Sequence, residues 1–236
     1  MEAVMKGKIS KANAILISIL MISGFLLSGC SSTNDHRFTT PYEYYLYVPK
    51  NYTSDRSWPL FIGIHGSGQS GKDCWNTWQS FADENGFVLL CPSLSDPALG
   101  GGWMLDDGER ILNAILTEIW PNYSLKSKYF LAGFSAGAFF VQGYAYHYPT
   151  HVAGLSIISA GNFYSEIRTG LKSTPIMITV GEQDTQGVKQ ARVYFNSISA
   201  NGYNASFYII KGVGHSISKE AKEMTIRQYV SIFGHP

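Results

Sequence analysis

An α/β domain with a mostly parallel central sheet and helices on both faces is the fold class this sequence predicts. Short apolar or β-branched runs alternate with longer segments of helical spacing from Tyr42 to the end of the chain. "PLFIGI" at 59–64 is an uninterrupted apolar run of the kind a strand buried on both faces shows. Ile111, Leu112, Ile115, Leu116 and Ile119 recur at the period of a helix packed on one side.

The elements follow in order along the chain of 236 residues. Lys6, Lys8 and Lys11 precede an apolar run from Ala14 to Leu27, which is shorter than the roughly 20 residues a membrane span needs. Residues 1–29 therefore read as a signal peptide, 30–40 as a polar tether and 41–236 as one domain without a separate lid. Tyr42 to Val48 is aromatic and β-branched and reads as a strand that Pro49 ends. Strand Pro59 to Ile64, a helix over Lys72 to Glu84 and strand Phe87 to Cys91 come next. A glycine-rich loop, "ALGGGW" at 98–103, leads to a helix over Asp106 to Ile119. Strand Lys128 to Ala132 runs into "GFSAG", and a helix from Ala136 to Tyr148 stops at Pro149. Strands at Val152 to Ile158, Ile176 to Val180 and Ser206 to Ile210, a helix over Val188 to Ser199 and a last helix from Lys219 complete the alternation. No internal repeat interrupts it.

In a parallel sheet, ligands bind at the carboxyl ends of the strands. Ser135, in "AGFSAGAF", stands at such an end, between a strand and a helix. With 24 glycines in the chain the motif alone is weak, but strand, tight turn and helix are the setting that exposes a nucleophilic serine. A serine hydroxyl attacks only when a base takes its proton. His215, in "KGVGHS" after a strand, fits that role better than His147 or His151 beside Pro149, or His36 and His235 near the termini. Asp184 follows another strand and is the carboxylate expected to orient the imidazole, with Glu182 as the alternative. Backbone N–H groups of Ser67, in "IHGSGQ", and of Ala136 are expected to cradle a developing oxyanion, with Gly66 as another donor and His65 holding the loop. Trp103, Phe163 and Tyr164 lie where a substrate could pass over Ser135.

Charge and cysteine usage narrow the classes further. The formal net charge is +1, with 18 basic and 17 acidic residues, which gives no basic surface for nucleic acid. Neither a CxxC pair nor a Cys/His spacing suggests a metal, and no cofactor motif is present. Beyond Cys30 only Cys74 and Cys91 remain, an even pair that an exported protein either bridges or buries as two thiols.

Two resemblances add to this reading. Leu27-Ser28-Gly29-Cys30 resembles the lipobox of bacterial lipoproteins, which implies a lipidated Cys30 and anchoring to a membrane of the cell envelope, with plain secretion as the alternative. "IHGSGQSGKDCWNTWQSFADENGFVLLCPS", with "YFLAGFSAGAF" after it, is similar to the α/β-hydrolases that include poly(3-hydroxybutyrate) depolymerases, feruloyl esterases and acetylxylan esterases. The similarity runs from about Tyr44 onward and implies the α/β-hydrolase fold, the order Ser135, Asp184, His215, and hydrolysis of small or oligomeric carboxylic esters without metal or organic cofactor. Those relatives often carry a cysteine in the His-Gly loop where this chain has Ser67, so no disulfide is carried over at that position. A serine peptidase resembling the prolyl oligopeptidase group, and a non-catalytic ligand-binding lipoprotein on the same fold, are the alternatives. No protein partner is expected.

Overall fold

The computed structural model describes residues 37–95, 99, 101–164 and 169–235. The expected signal peptide at 1–29, Cys30 and most of the tether lie outside these residues, as do two positions of the 98–103 loop.

Among the described residues, eight strands and five α-helices are arranged in chain order as β1 (Arg37–Phe38), β2 (Tyr44–Tyr47), β3 (Leu60–Ile64), α1 (Gly71–Asn85), β4 (Val88–Pro92), α2 (Leu105–Ile119), β5 (Tyr129–Phe134), α3 (Ala136–His147), β6 (Val152–Ile158), β7 (Ile176–Gly181), α4 (Thr185–Ala200), β8 (Ala205–Ile210) and α5 (Lys219–Phe233). They form one sheet in the order β1-β2-β4-β3-β5-β6-β7-β8. Pairing from β4 through β8 is parallel, whereas β1 with β2 and β2 with β4 are antiparallel. The mostly parallel sheet is thus as expected, with an antiparallel pair added at one edge.

Side-chain alternation divides the core into two layers. On β3, Leu60, Ile62 and Ile64 join Leu112, Ile115, Phe140, Val141 and Ile198 from α2, α3 and α4. Phe61 points the other way, into Trp75, Trp78, Ala82, Ile226 and Tyr229 of α1 and α5. The same period of two places Leu131 in the first layer and Phe130 in the second. Burial on both faces explains why "PLFIGI" carries no polar residue.

Local signals set the helix ends. Ser70 caps α1, where the Asp73 carboxylate accepts from the Ser70 N–H at 2.8 Å, and Gly86 ends the helix with φ 62°. Helix α4 starts at Thr185, ahead of the expected Val188, because the Asp184 side chain accepts from the Gly187 N–H and caps it. Strand β5 continues through Gly133 to Phe134, beyond the expected end at Ala132.

Cys74 of α1 and Cys91 of β4 form a disulfide, which the sequence left open. It lies over Gly63 of β3, where a Cβ would sit 2.5 Å from the Cys74 sulfur. With its two ends 17 positions apart in the sequence, the bridge contributes about 3 kcal/mol in the chain-entropy account. Replacing both cysteines with alanine is expected to lower the unfolding free energy by about that amount in urea titrations. An unchanged denaturation midpoint would contradict it.

Candidate active site

The nucleophile candidate sits on a turn that only small neighbours permit. Ser135 has φ 54° and ψ −115° between β5 and α3, a backbone state that costs a non-glycine residue on the order of 1–3 kcal/mol. A Cβ on Gly133 would lie 2.2 Å from the Gly137 carbonyl oxygen, and one on Gly137 would lie 2.4 Å from the carbonyl oxygens of Ile64 and His65. Both glycines therefore let α3 start directly against the ends of β5 and β3. The Ser135 N–H donates to the Ile158 carbonyl at 3.0 Å, which ties the turn to β6 as well.

Two loops at neighbouring strand ends deliver the other polar groups. His215, between β8 and α5, places Nε2 2.9 Å from Ser135 Oγ and Nδ1 2.7 Å from Asp184 Oδ2. A carboxylate only accepts, so Nδ1 carries the hydrogen and Nε2 is free to accept from the serine hydroxyl. The other Asp184 oxygen accepts from the Gly187 N–H at 3.0 Å, so one carboxylate both caps α4 and orients the imidazole. Glu182, the alternative acid, instead accepts from the Gly212 N–H at 2.9 Å and braces the histidine loop from below. The Gln183 N–H donates to the Val213 carbonyl at 2.8 Å and adds a second brace.

The loop after β3 and the start of α3 each supply one free amide. Ser67 and Ala136 have backbone N–H groups without a hydrogen-bond partner among the described residues. Ala136 is free because it opens α3, where the first amides of a helix lack an intrahelical acceptor. Gly66, the alternative donor, gives its N–H to Gln69 Oε1 at 2.9 Å. His65 is buried and uses both ring nitrogens on main chain: Nδ1–H donates to the Gly66 carbonyl at 2.8 Å and Nε2 accepts from the Leu94 N–H at 3.0 Å. That pattern requires the neutral ring, and burial holds its pKa below the ordinary histidine value.

A pH effect on stability follows. The unfolded chain takes up a proton at this ring near the ordinary value of about 6.5 while the folded chain resists it. The stabilisation is complete above that pH and is lost as pH falls toward the depressed folded value. The urea midpoint is expected to drop between about pH 7 and about pH 5, and to drop less in His65→Gln, whose amide retains one donor and one acceptor. Equal slopes in the two proteins would refute the assignment.

Beside Ser135 and Ala136 opens a pocket of about 270 Å³ walled by Trp103, Leu105, Phe139, Phe140 and Asn162. None of these walls carries a charge. Of the three expected substrate contacts, Trp103 is in this pocket, its ring edge-on to His65 with centroids 5.0 Å apart. Phe163 and Tyr164 do not line it; they belong to an adjoining groove of about 510 Å³, where Phe163 stacks on Tyr194 at 4.7 Å. Sequence reasoning missed Phe139 and Phe140, although "SAGAFF" places both within the first turns after the serine. Leu105 offered no such signal, whereas Asn162 lies in "SAGNFYSE" at 159–166, the segment after β6 expected near the substrate. Among the described residues, no group of three or more His, Cys, Asp or Glu could hold a metal ion, and no helix is long and apolar enough to cross a membrane.

Comparison with known proteins gives a consistent set of neighbours. No protein-family model matches the chain. Feruloyl esterase B of Thermothelomyces thermophilus is 23% identical over 220 residues, which cover 83% of this chain and 72% of that protein. Among solved structures, esterase PE8 superposes with a TM-score of 0.63 at 18% identity, covering 79% of this chain and 97% of the other. Est1E from Butyrivibrio proteoclasticus gives 0.63 at 17% identity, over 81% and 94%. The ferulic acid esterase of Anaeromyces mucronatus, solved with ferulic acid, gives 0.64 at 13% identity, over 81% and 85%.

Proposed function

We infer that this chain, which has the α/β-hydrolase fold, is a carboxylic ester hydrolase that works through an acyl-enzyme on Ser135. The observation that carries the reading is the unbroken hydrogen-bond chain from Ser135 Oγ through His215 to Asp184, at 2.9 and 2.7 Å, at the mouth of an uncharged pocket. The names of the relatives, all esterases, support the same chemistry.

The steps follow from the geometry. His215 Nε2 takes the hydroxyl proton as Oγ attacks the ester carbonyl, and Asp184 stabilises the imidazolium that results. The N–H groups of Ala136 and Ser67 meet the oxyanion, each worth roughly 2.7–4 kcal/mol in comparable sites. Collapse expels the alcohol, which leaves with the proton from Nε2. Water then repeats the sequence on the acyl-enzyme, and the acid departs. The two side chains, Asp184, ester and water account for every proton and electron pair, so the chemistry asks for no metal or organic cofactor.

We further propose that the chain is exported and anchored to a bacterial envelope membrane through a lipidated Cys30. The disulfide supports this, because such bridges persist in oxidising compartments. Incorporation of labelled palmitate into the natural chain but not into Cys30→Ala tests it.

For the catalytic reading, a fluorophosphonate reagent is expected to form a single adduct on Ser135 by mass spectrometry and to abolish hydrolysis of 4-nitrophenyl acetate. Cleavage of chromogenic peptides faster than of esters would favour a peptidase. Neither adduct nor hydrolysis would favour a ligand-binding protein.

A further inference from the structure

The Ser135 pocket holds about 270 Å³, and the adjoining groove, at about 510 Å³, is larger and has no role in the steps above. Its position relative to the pocket is set by two shared features. Asn162 lines both cavities. Phe139, a wall of the pocket, stacks at 4.4 Å on Tyr164, a wall of the groove. The groove is lined mainly by apolar surface, with Phe163 on Tyr194 at one side and Val193, 72% exposed, on the α4 side. Val193 does not stand alone: with Phe163, Tyr164 and Tyr194 it makes one continuous, mainly apolar wall that an apolar ligand group could cover.

Which part of an ester reaches the groove follows from where the proton goes. The departing alcohol must collect its proton from His215 Nε2, so it leaves on the histidine side. His215 is not a wall of the Ser135 pocket, whereas Ala136, which carries a free amide, is. The pocket therefore holds the acyl group, and anything beyond it on the Asn162 side is the far end of that same acyl group.

We propose that the groove of Phe163, Tyr164, Val193 and Tyr194 is the distal acyl subsite, and that the enzyme's substrates are esters with an extended, largely apolar acyl group that passes Asn162. This rests on the ester-hydrolase reading. Remote binding of this kind raises kcat/KM only for substrates long enough to reach it. Each methylene that moves from water into the groove is worth up to about four-fold.

The test is a series of 4-nitrophenyl esters from acetate to octanoate, read as the octanoate-to-acetate ratio of kcat/KM on the full chain. The wild type is expected to prefer octanoate. Val193→Asp places a charge in the groove at an exposed position, and is expected to cut the ratio by about ten-fold, through KM. Val193→Leu is expected to keep the ratio. Ile209→Asp, at an exposed apolar residue of the edge strand β8, is the control that leaves it unchanged. A ratio that stays the same in Val193→Asp, or falls equally in Ile209→Asp, overturns the subsite while leaving ester hydrolysis intact. Acetate hydrolysis that does not depend on Ser135 overturns the underlying reading, and the subsite with it.

Discussion

Replacing Ser135 with alanine is expected to lower kcat for 4-nitrophenyl ester hydrolysis by about a million-fold, the size of loss measured when a triad serine is removed elsewhere. That is roughly 8 kcal/mol of transition-state stabilisation. The expectation rests on how little else changes. Ser135 is held by its main chain, through its N–H on Ile158 and the close approach of Gly137 to Ile64 and His65, and alanine keeps all of these contacts. Only the 2.9 Å hydrogen bond from Oγ to His215 is lost. The variant should therefore unfold within about 1 kcal/mol of the parent, so that lost activity reports chemistry and not unfolding. A residual rate comes from the free amides of Ala136 and Ser67, which act on any attacking water. A variant that hydrolyses the ester as fast as the parent would remove Ser135 from the mechanism.

Asp184→Asn is expected to cost about ten-thousand-fold in kcat with KM little changed. The carboxylate now accepts from Nδ1–H at 2.7 Å, and an amide NH₂ in its place would instead donate to that nitrogen and move the ring hydrogen to Nε2, where it blocks the base. Asparagine caps helices as well as aspartate does, so the bond from Gly187 survives and α4 stays in place. A merely structural role would show as a lower denaturation midpoint, whereas an orienting role shows as a lower kcat with the midpoint kept. Glu182→Gln is the comparison, because its carboxylate meets the Gly212 N–H and not the imidazole.

How much was legible in the sequence depends on what each signal measures. Continuous apolar runs report burial on both faces, which is why β3 was found within a residue of its observed ends. Strand β1 is two residues long and carries no period, and nothing in "YEYYLYV" distinguishes an antiparallel neighbour from a parallel one. Helix α4 was expected too late because Gly187 hides its first turn. Glycine misled at β5: Gly133 reads as a turn residue, yet it is in the strand because α3 crosses over it. At the site, chain order singled out Ser135 and His215. The choice between Asp184 and Glu182 needed coordinates, since two residues of one loop differ only in direction. Phe163 and Tyr164 were read from nearness to the end of β6, and distance along the chain does not say which side of Asn162 a ring occupies.

The elbow at Ser135 has a consequence for anyone who would transplant this site. Its turn rests on a carbonyl from β6, on bare backbone from β3, and on a helix that must begin without a side chain at Gly137. None of these belongs to the three polar side chains that perform the proton transfer. A graft of Ser, His and Asp onto another scaffold at matching distances would carry over the reagents but not the joint between strands that aims them. The smallest portable unit is the end of three adjacent parallel strands together with the first turn of one helix.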